Sequence, residues 1–367
     1  MIAPVSDPVV VLDESTDQQP ERGRSRRRRR GWRRPPAAVV GAVIVVLVGA
    51  VLVAGGDAGT TSRLRPPVLG RARDVYDDDI GDPVVLPITA GGSVVRFVAF
   101  GTGNWPARVP TAHSTDLTTW QEGPDALPQL PDWAGPDPNH SLSWAPAALE
   151  TSHGYILYVS LPDSRSGQHC IGAATSSVAD GPYVGVGDGP LLCQHDLGGS
   201  IDPSVTRDRA SQLHMLWKDE GNTLGRPSSL WERQLTADGL GFTGDAHRLL
   251  TATRSWQGGI IEEPAVTPAA DGGWWLFYSG GFFDKPGYAT GLAYCRDLTG
   301  PCRETSERPF LATPALEEEG QFAPGGLETF LDGDGTLWAV FDTWNRPTRH
   351  GRFYCCRSLQ LARVASA

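Results

Sequence analysis

The stretch Ile260-Ile261-Glu262-Glu263-Pro264-Ala265-Val266-Thr267-Pro268, IIEEPAVTP, places two adjacent carboxylates at the mouth of an apolar run. A turn at Asp271-Gly272 follows, and then a second apolar run, WWLFYSG, ends at Gly280. Proline has no N–H to give to a sheet and is confined to strand starts, edges and bulges. Pro264 therefore marks where a strand begins. The same order recurs along the chain: Pro83 in GDPVVLP, Pro146 in WAPAALE, Pro203 in IDPSVTR and Pro324 in FAPGGLETFL. The five prolines are separated by 63, 57, 61 and 60 residues. After each comes a turn and a strongly apolar strand: GGSVVRFVAF, HGYILYVS, SQLHMLW, GGWWLFYSG and GTLWAVFD.

Helical periodicity is poor, and short apolar runs alternate with Gly, Pro, Asp and Asn, an all-β pattern. Several short strands per unit of about 60 residues, repeated five times, predict an all-β, five-bladed β-propeller. Innermost strands of a propeller start around the central axis, so residues just before the five prolines should converge there. They are Asp82; Trp144 and Ala145; Asp202; Glu262 and Glu263; and Phe322 and Ala323. Three blades thus bring carboxylates to one place. A single Asp-Pro is ordinarily a turn. Burying several acids together costs free energy and raises their pKa values, so such a cluster points to chemistry. A carboxyl pair flanking a sugar bond suits glycoside hydrolysis, with one group protonating the leaving oxygen and one activating water. A third can tune the acid by like-charge repulsion. Trp105 and Trp144 are candidates to stack on sugar, with packing between blades as the alternative.

Ahead of this domain the composition changes. Of 32 Lys plus Arg and 42 Asp plus Glu, the first 36 residues carry nine and five, which leaves 23 against 37 and about −14 for the remainder. An acidic outer domain argues against nucleic acid as a partner. Residues 1–36 read as a disordered, Arg-rich cytoplasmic tail. The uncharged run AAVVGAVIVVLVGAVLVA covers 37–54, and at 1.5 Å per residue spans about 27 Å, close to the hydrocarbon thickness of a bilayer. It predicts one N-terminal transmembrane helix, a signal anchor over 37–55, with the arginines inside. A cleaved signal peptide is the rival, with only a weak cleavage site. A linker over 56–75 leads into the propeller at 76–367. The expected location is the cell membrane, single-pass, with the propeller extracellular.

All six cysteines then lie outside, where disulfides form. Cys295 and Cys302 bracket a turn-bearing loop, and Cys170 and Cys193 a longer one. Cys355-Cys356 is either a vicinal bridge or a pair of free thiols. No Cys/His spacing suits zinc.

The blade order Asp-Pro, Trp-Ala-Pro, Ile-Asp-Pro, Glu-x-Pro resembles glycoside hydrolase family 43, the five-bladed α-L-arabinofuranosidases, β-xylosidases and arabinanases. The similarity runs over about residues 78–364. The resemblance implies an inverting hydrolase with its general base at Asp82, its acid-tuning carboxylate at Asp202 and its general acid at Glu262, two residues before the proline. CCRSLQLARV resembles the family's last strand, where an arginine meets the sugar, and implies Arg357 as substrate-binding. Glu263 falls where the family has a small residue; it could pair with a cation or raise the acid's pKa. One departure stands out: many members carry a His after Pro-Gly in the fifth blade that helps hold a central calcium or water. Here Pro324-Gly325 is followed by Gly326, which puts an axial calcium in doubt. No metal ligand or cofactor is assigned. His113, His195 and His214 read as ordinary blade or surface residues, with His350, near the mouth, as an exception.

The expected substrate is an arabinose- or xylose-containing oligo- or polysaccharide. A catalytically degenerate sugar-binding propeller, acting as an envelope lectin or scaffold, is the alternative. A neighbouring five-bladed enzyme, such as a fructan hydrolase or mannoside phosphorylase, is a third; the first blade lacks the Asn-Asp-Pro-Asn pattern of the fructan enzymes.

Overall fold

A computed structural model describes residues 65–104, 106–317, 320–345, 353 and 356–365. The expected tail, the membrane span at 37–55 and the start of the linker fall outside the described residues, as do Trp105, His350 and Cys355. Among the described residues no helix is long and apolar enough to cross a membrane.

The compact unit from Thr61 to Ala367 is a ring of five antiparallel sheets. Two short strands come first, β1 (Val68–Leu69) and β2 (Arg73–Tyr76). Blade 1 is β3 (Val84–Ala90), β4 (Ser93–Phe100), β5 (Thr111–Ser114) and β6 (Gln121–Glu122). Blade 2 is β7 (Trp144–Thr151), β8 (Gly154–Pro162), β9 (His169–Ser176) and β10 (Val184–Val186). Blade 3 is β11 (Ser200–Arg207), β12 (Leu213–Asp219), β13 (Ser229–Gln234) and β14 (His247–Thr251). Blade 4 is β15 (Ile261–Pro268), β16 (Trp274–Gly280), β17 (Ala289–Cys295) and β18 (Cys302–Glu304). Blade 5 is β19 (Phe322–Leu331), β20 (Leu337–Trp344) and β21 (Arg357–Ala365). Its outer edge is completed by the N-terminal strands: β2 pairs β21 with Arg73 opposite Leu361, and β1 pairs it with Val68 opposite Ala365. Chain ends far apart in sequence thus close the ring. β1 and most of β2 belong to the stretch 56–75, so the sheet begins ahead of residue 76.

The proline repeat has a backbone cause. Asp82, Ala145, Asp202, Glu263 and Ala323, the five residues before the prolines, all have positive φ, at 50°, 40°, 55°, 52° and 50°. In blades 2 to 5 the inner strand slips register at this point, between Trp144 and Ala147, Ile201 and Ser204, Glu262 and Ala265, and Phe322 and Gly325. In blade 1 the strand starts just after Pro83. A bulge leaves one residue out of the ladder and bends the strand, so a proline there removes no needed hydrogen bond. Each kink turns the pre-proline residue out of the sheet, and the five kinks meet around the axis.

The core lies between blades. Val98 and Phe100 of blade 1 pack with Leu157 and Val159 of blade 2. Tyr158 and Ile171 meet Met215 and Trp217, and Leu216 and Leu230 meet Ile261 and Leu276. Phe277 and Leu292 meet Phe341 and Ala362, and Val340 and Leu361 meet Phe97 and Ala99. Each central strand is therefore apolar on both faces, which explains the continuous apolar runs that betray the repeat. Cys170–Cys193 and Cys295–Cys302 are disulfides, the latter joining opposed residues of β17 and β18. Cys356 is also disulfide-bonded, and no free cysteine occurs among the described residues.

Candidate active site

Asp82, Asp202, Glu262 and Glu263 line one cavity of about 490 Å³ at one end of the axis, together with Trp144 and Arg357. Beneath it the axial channel narrows to a space of about 20 Å³ between the kinked Asp82-Pro83, Ala145-Pro146, Asp202-Pro203 and Glu263-Pro264 pairs, with room for about one water. The three expected carboxylates are thus brought together, and so are Trp144 and Arg357.

Asp82 is held from three sides. Its N–H donates to Asp342 Oδ2 at 2.8 Å, Thr102 Oγ1 donates to its Oδ2, and Arg357 Nη1 donates to its Oδ1. Thr102 also accepts the Ala145 N–H at 2.8 Å, which ties the kinks of blades 1 and 2 together. Gly81 is required beside it: a Cβ there would lie 1.7 Å from Arg357 Cζ. Burial pushes the Asp82 carboxyl up, but the Arg357 charge and hydrogen bonds from Glu263, Thr102 and Arg357 outweigh it and hold the group below the usual carboxylate range. Arg357 Nη1 is also 3.1 Å from Asp342 Oδ2, its N–H donates to Asp79 Oδ1, and its guanidinium lies over the Trp344 ring. Burial pushes the Asp342 carboxyl up to about 7 even against the Arg357 charge. The sequence assigned Arg357 to the sugar; its observed polar contacts are to carboxylates, while its side chain still lines the cavity.

Glu262 is gripped by two groups the sequence did not single out. Lys218 Nζ, at the end of β12, is 3.1 Å from Glu262 Oε2 and 2.6 Å from Glu220 Oε1, and Tyr288 Oη is 2.8 Å from both Glu262 Oε1 and Glu263 Oε2, so its single proton is shared between the two carboxyls. Lys218 is 2% exposed. Burial alone would favour its neutral amine, but Glu262 and Glu220 overcome this and keep it charged. The Tyr288 hydroxyl is pushed well up by burial and by Glu262 and Glu263, so it stays a donor. Asp202 donates its N–H to Ser160 Oγ at 3.0 Å, and burial and the Glu262 charge push its carboxyl well up.

Glu263 meets no cation among the described residues. Its Oε2 is 2.7 Å from the Gly326 nitrogen and 2.8 Å from Tyr288 Oη, its N–H donates to Asp202 Oδ2 at 3.2 Å, and its carboxyl hydrogen-bonds Asp82. Burial and the charges of Asp82, Asp202 and Asp342 push it well above the usual range. Of the two expectations for Glu263, a cation partner and a charge that raises the acid's pKa, the cation partner is not found among the described residues; other acids surround the group instead.

Trp144 sits at the rim, its Nε1 donating to Ser141 O at 2.8 Å and its ring stacked on His169 at 3.6 Å and 9°. This imidazole props one face of the indole. Phe282 and Phe283, both more than half exposed, line the same cavity. Trp105 lies outside the described residues. Among the described residues, the one group of three His, Cys, Asp or Glu ligand atoms within reach of a single ion is Cys170, Cys193 and His195, away from the acids, and its cysteines form a disulfide. A Cβ on Gly326 would meet Asp82 Cα and Pro83 Cδ at 3.1 Å, and one on Gly325 would strike Tyr288 Cε1 at 2.1 Å.

Lys218, Tyr288, Thr102 and Asp342 carry no motif. The signal that could have flagged Lys218 and Asp342 is a charge ending an otherwise apolar strand, in LHMLWK and LWAVFD. Burying such a group without a partner is costly.

A sequence profile described as glycosyl hydrolases family 43 matches residues 77–365. No curated protein sequence shows a significant match to the chain. The fold is similar to that of a thermostable family-43 glycoside hydrolase, with a TM-score of 0.65, 21% identity, and coverage of 82% of this chain and 92% of that one. It is also similar to an endo-1,4-beta-xylanase from Bacteroides thetaiotaomicron, with a TM-score of 0.61 and 21% identity over 76% and 89% of the two chains. An alpha-L-arabinofuranosidase from Lactobacillus brevis gives a TM-score of 0.59 and 18% identity over 77% and 90%. At these identities the likeness speaks for the fold.

Proposed function

Because the chain belongs to glycosyl hydrolases family 43, we propose that it is an inverting glycoside hydrolase that cleaves arabinofuranosyl or xylosyl linkages in polysaccharide. The observation that carries this reading is the convergence of Asp82, Asp202 and Glu262 on one cavity with an aromatic rim. Asp82, held ionised, takes a proton from water as the water oxygen attacks the anomeric carbon. Glu262 gives its proton to the leaving oxygen, and the resulting carboxylate is met by Lys218 and Tyr288. Asp202, beside Glu262, orients and tunes it. No covalent intermediate forms, and each turnover leaves Asp82 protonated and Glu262 ionised until solvent restores them.

Trp144, Phe282 and Phe283 offer apolar faces to sugar rings at the rim. Arg357 serves the base first and faces the same cavity, where sugar hydroxyls would bind. A substrate outside the cell is our reading: the disulfides suit an oxidising compartment, and the run at 37–55 would anchor the chain as a single-pass protein with its N-terminus in the cytoplasm. Protease added to intact cells should remove the propeller and spare the tail; protection of the propeller would overturn this placement.

The activity is tested with the full-length protein on nitrophenyl arabinofuranoside and xyloside and on arabinan and xylan, with product anomers followed by proton NMR. Turnover with inversion that disappears in Asp82→Asn and Glu262→Gln supports the assignment. Saturable sugar binding with no turnover of any of these substrates would replace it with a sugar-binding propeller.

A further inference from the structure

Glu263 combines two unfavourable features. Its φ of 52° is a left-handed conformation that glycine adopts freely and a longer side chain does not. Asp82 and Asp202 hold the same conformation, but aspartate tolerates it better, through its short local hydrogen bonds. Glu263 also carries its carboxyl into a group of acids, with Asp82 and Asp202 on the kinks of blades 1 and 3, Asp342 on β20, and Glu262 beside it. Among the described residues, the two cations facing this group are engaged with other acids: Arg357 with Asp82 and Asp342, and Lys218 with Glu262 and Glu220. Among the described residues Glu263 therefore has no cation of its own, and its donors are neutral, the Gly326 N–H and the Tyr288 hydroxyl.

Its contacts define what it is. The Gly326 N–H and the Tyr288 hydroxyl meet the same oxygen, Oε2, and the carboxyl also hydrogen-bonds the Asp82 carboxyl. Two carboxyls in hydrogen-bond contact need one proton between them. Asp82 already accepts from Arg357 and Thr102, both of which favour its ionised form, so the proton belongs to Glu263. We propose that Glu263 is a positioning residue for the reaction, a neutral carboxylic acid whose O–H is donated to Asp82 and holds that carboxylate ionised and oriented toward the attacking water. This rests on the assignment of Asp82 as base. Glu263 keeps its own proton throughout, and the proton taken from water goes to Asp82. The chain thus fills the space beneath its base with a donor that brings no charge. In an acid-rich cavity this keeps the base ionised at lower pH than its burial would allow.

Two substitutions separate this role from packing. Glu263→Gly removes the donor and suits the backbone, so the variant should fold. Glu263→Gln keeps an N–H donor at the same length. On the full-length protein, infrared difference spectra between wild type and each variant at neutral pH should show the C=O band of a protonated carboxyl lost in both. The acid limb of kcat/KM should move up by about one pH unit or more in Glu263→Gly, about a tenfold loss below the limb, and stay near wild type in Glu263→Gln. Absence of the band, an unmoved limb in Glu263→Gly, or an equal shift in both variants would overturn the proposal. The infrared result stands without turnover, so failure of the hydrolase assignment and failure of this inference are told apart.

Discussion

Lys218 Nζ stands 3.1 Å from Glu262 Oε2, so a buried lysine ending the second strand of one blade grips a carboxylate at the entry of the next. It also pairs with Glu220 at 2.6 Å. Removing the buried Lys218 would leave Glu220, its closer partner, without its cation. Lys218→Met should therefore destabilise the protein by about 3 kcal/mol, read as a lower denaturant midpoint at pH 7. A midpoint equal to wild type would show that the pair is not formed in solution.

Asp82→Asn and Glu262→Gln should each lower kcat/KM by roughly a hundred- to ten-thousand-fold with the fold intact. The two should differ by leaving group. A nitrophenolate leaves without protonation, so Glu262→Gln should lose less on nitrophenyl glycosides than on polysaccharide, whereas Asp82→Asn should lose equally on both. The reverse order, measured on the same two substrates, would exchange the assigned roles.

Gly81→Ala should behave like Arg357→Ala. The new methyl would occupy the guanidinium's place, 1.7 Å from Arg357 Cζ, and the flexible arginine is what yields. Both changes remove the cation from Asp82, and a charge-assisted hydrogen bond of this kind corresponds to about 10- to 100-fold in kcat/KM. Because they act through one contact, the double variant should lose little more than either single one. Additive losses would show that Gly81 and Arg357 act independently.

Glu328, at the axial channel, has its carboxyl pushed up to about 7 by burial, with a Ser204 hydrogen bond partly opposing this. A carboxyl whose folded pKa lies above its unfolded value of 4.5 favours folding while both states are protonated. That contribution is lost as pH rises from about 4.5 to about 7, where the unfolded chain has ionised first. The loss is at most about 3 kcal/mol, since Glu328 is only half-buried and keeps some contact with water. Glu328→Gln should be more stable than wild type at pH 8 and equal to it at pH 4, by denaturant titration at both values. Equal stability at pH 8 would mean that Glu328 is solvated.

The blade repeat was legible because its cause is local. A proline at the kink leaves a mark that needs no knowledge of the rest of the chain, and Asp82, Asp202 and Glu262 could be found by counting back from it. What closes the ring was less visible: β1 and β2 are short, lie in a Gly/Pro/Arg-rich stretch and gain their order only from pairing with β21. The aromatic rim was half seen, with Trp144 in register and Phe282 and Phe283 on an unpatterned loop.

By itself, then, the sequence determined the number of blades, the positions that reach the axis and the carboxylates among them, because backbone geometry at an X-Pro kink is set within a few residues. Only the tertiary structure decided what each acid is. Asp82 is held below the usual carboxylate range because Arg357 arrives from 275 residues away. Glu262 is gripped by a lysine 44 residues before it and a tyrosine 26 after it. Its neighbour Glu263, though of identical chemistry, has its carboxyl pushed well up by burial and by the acids that converge on it. Protonation state follows from burial and from the charges gathered in space, and neither is written in the order of neighbouring residues.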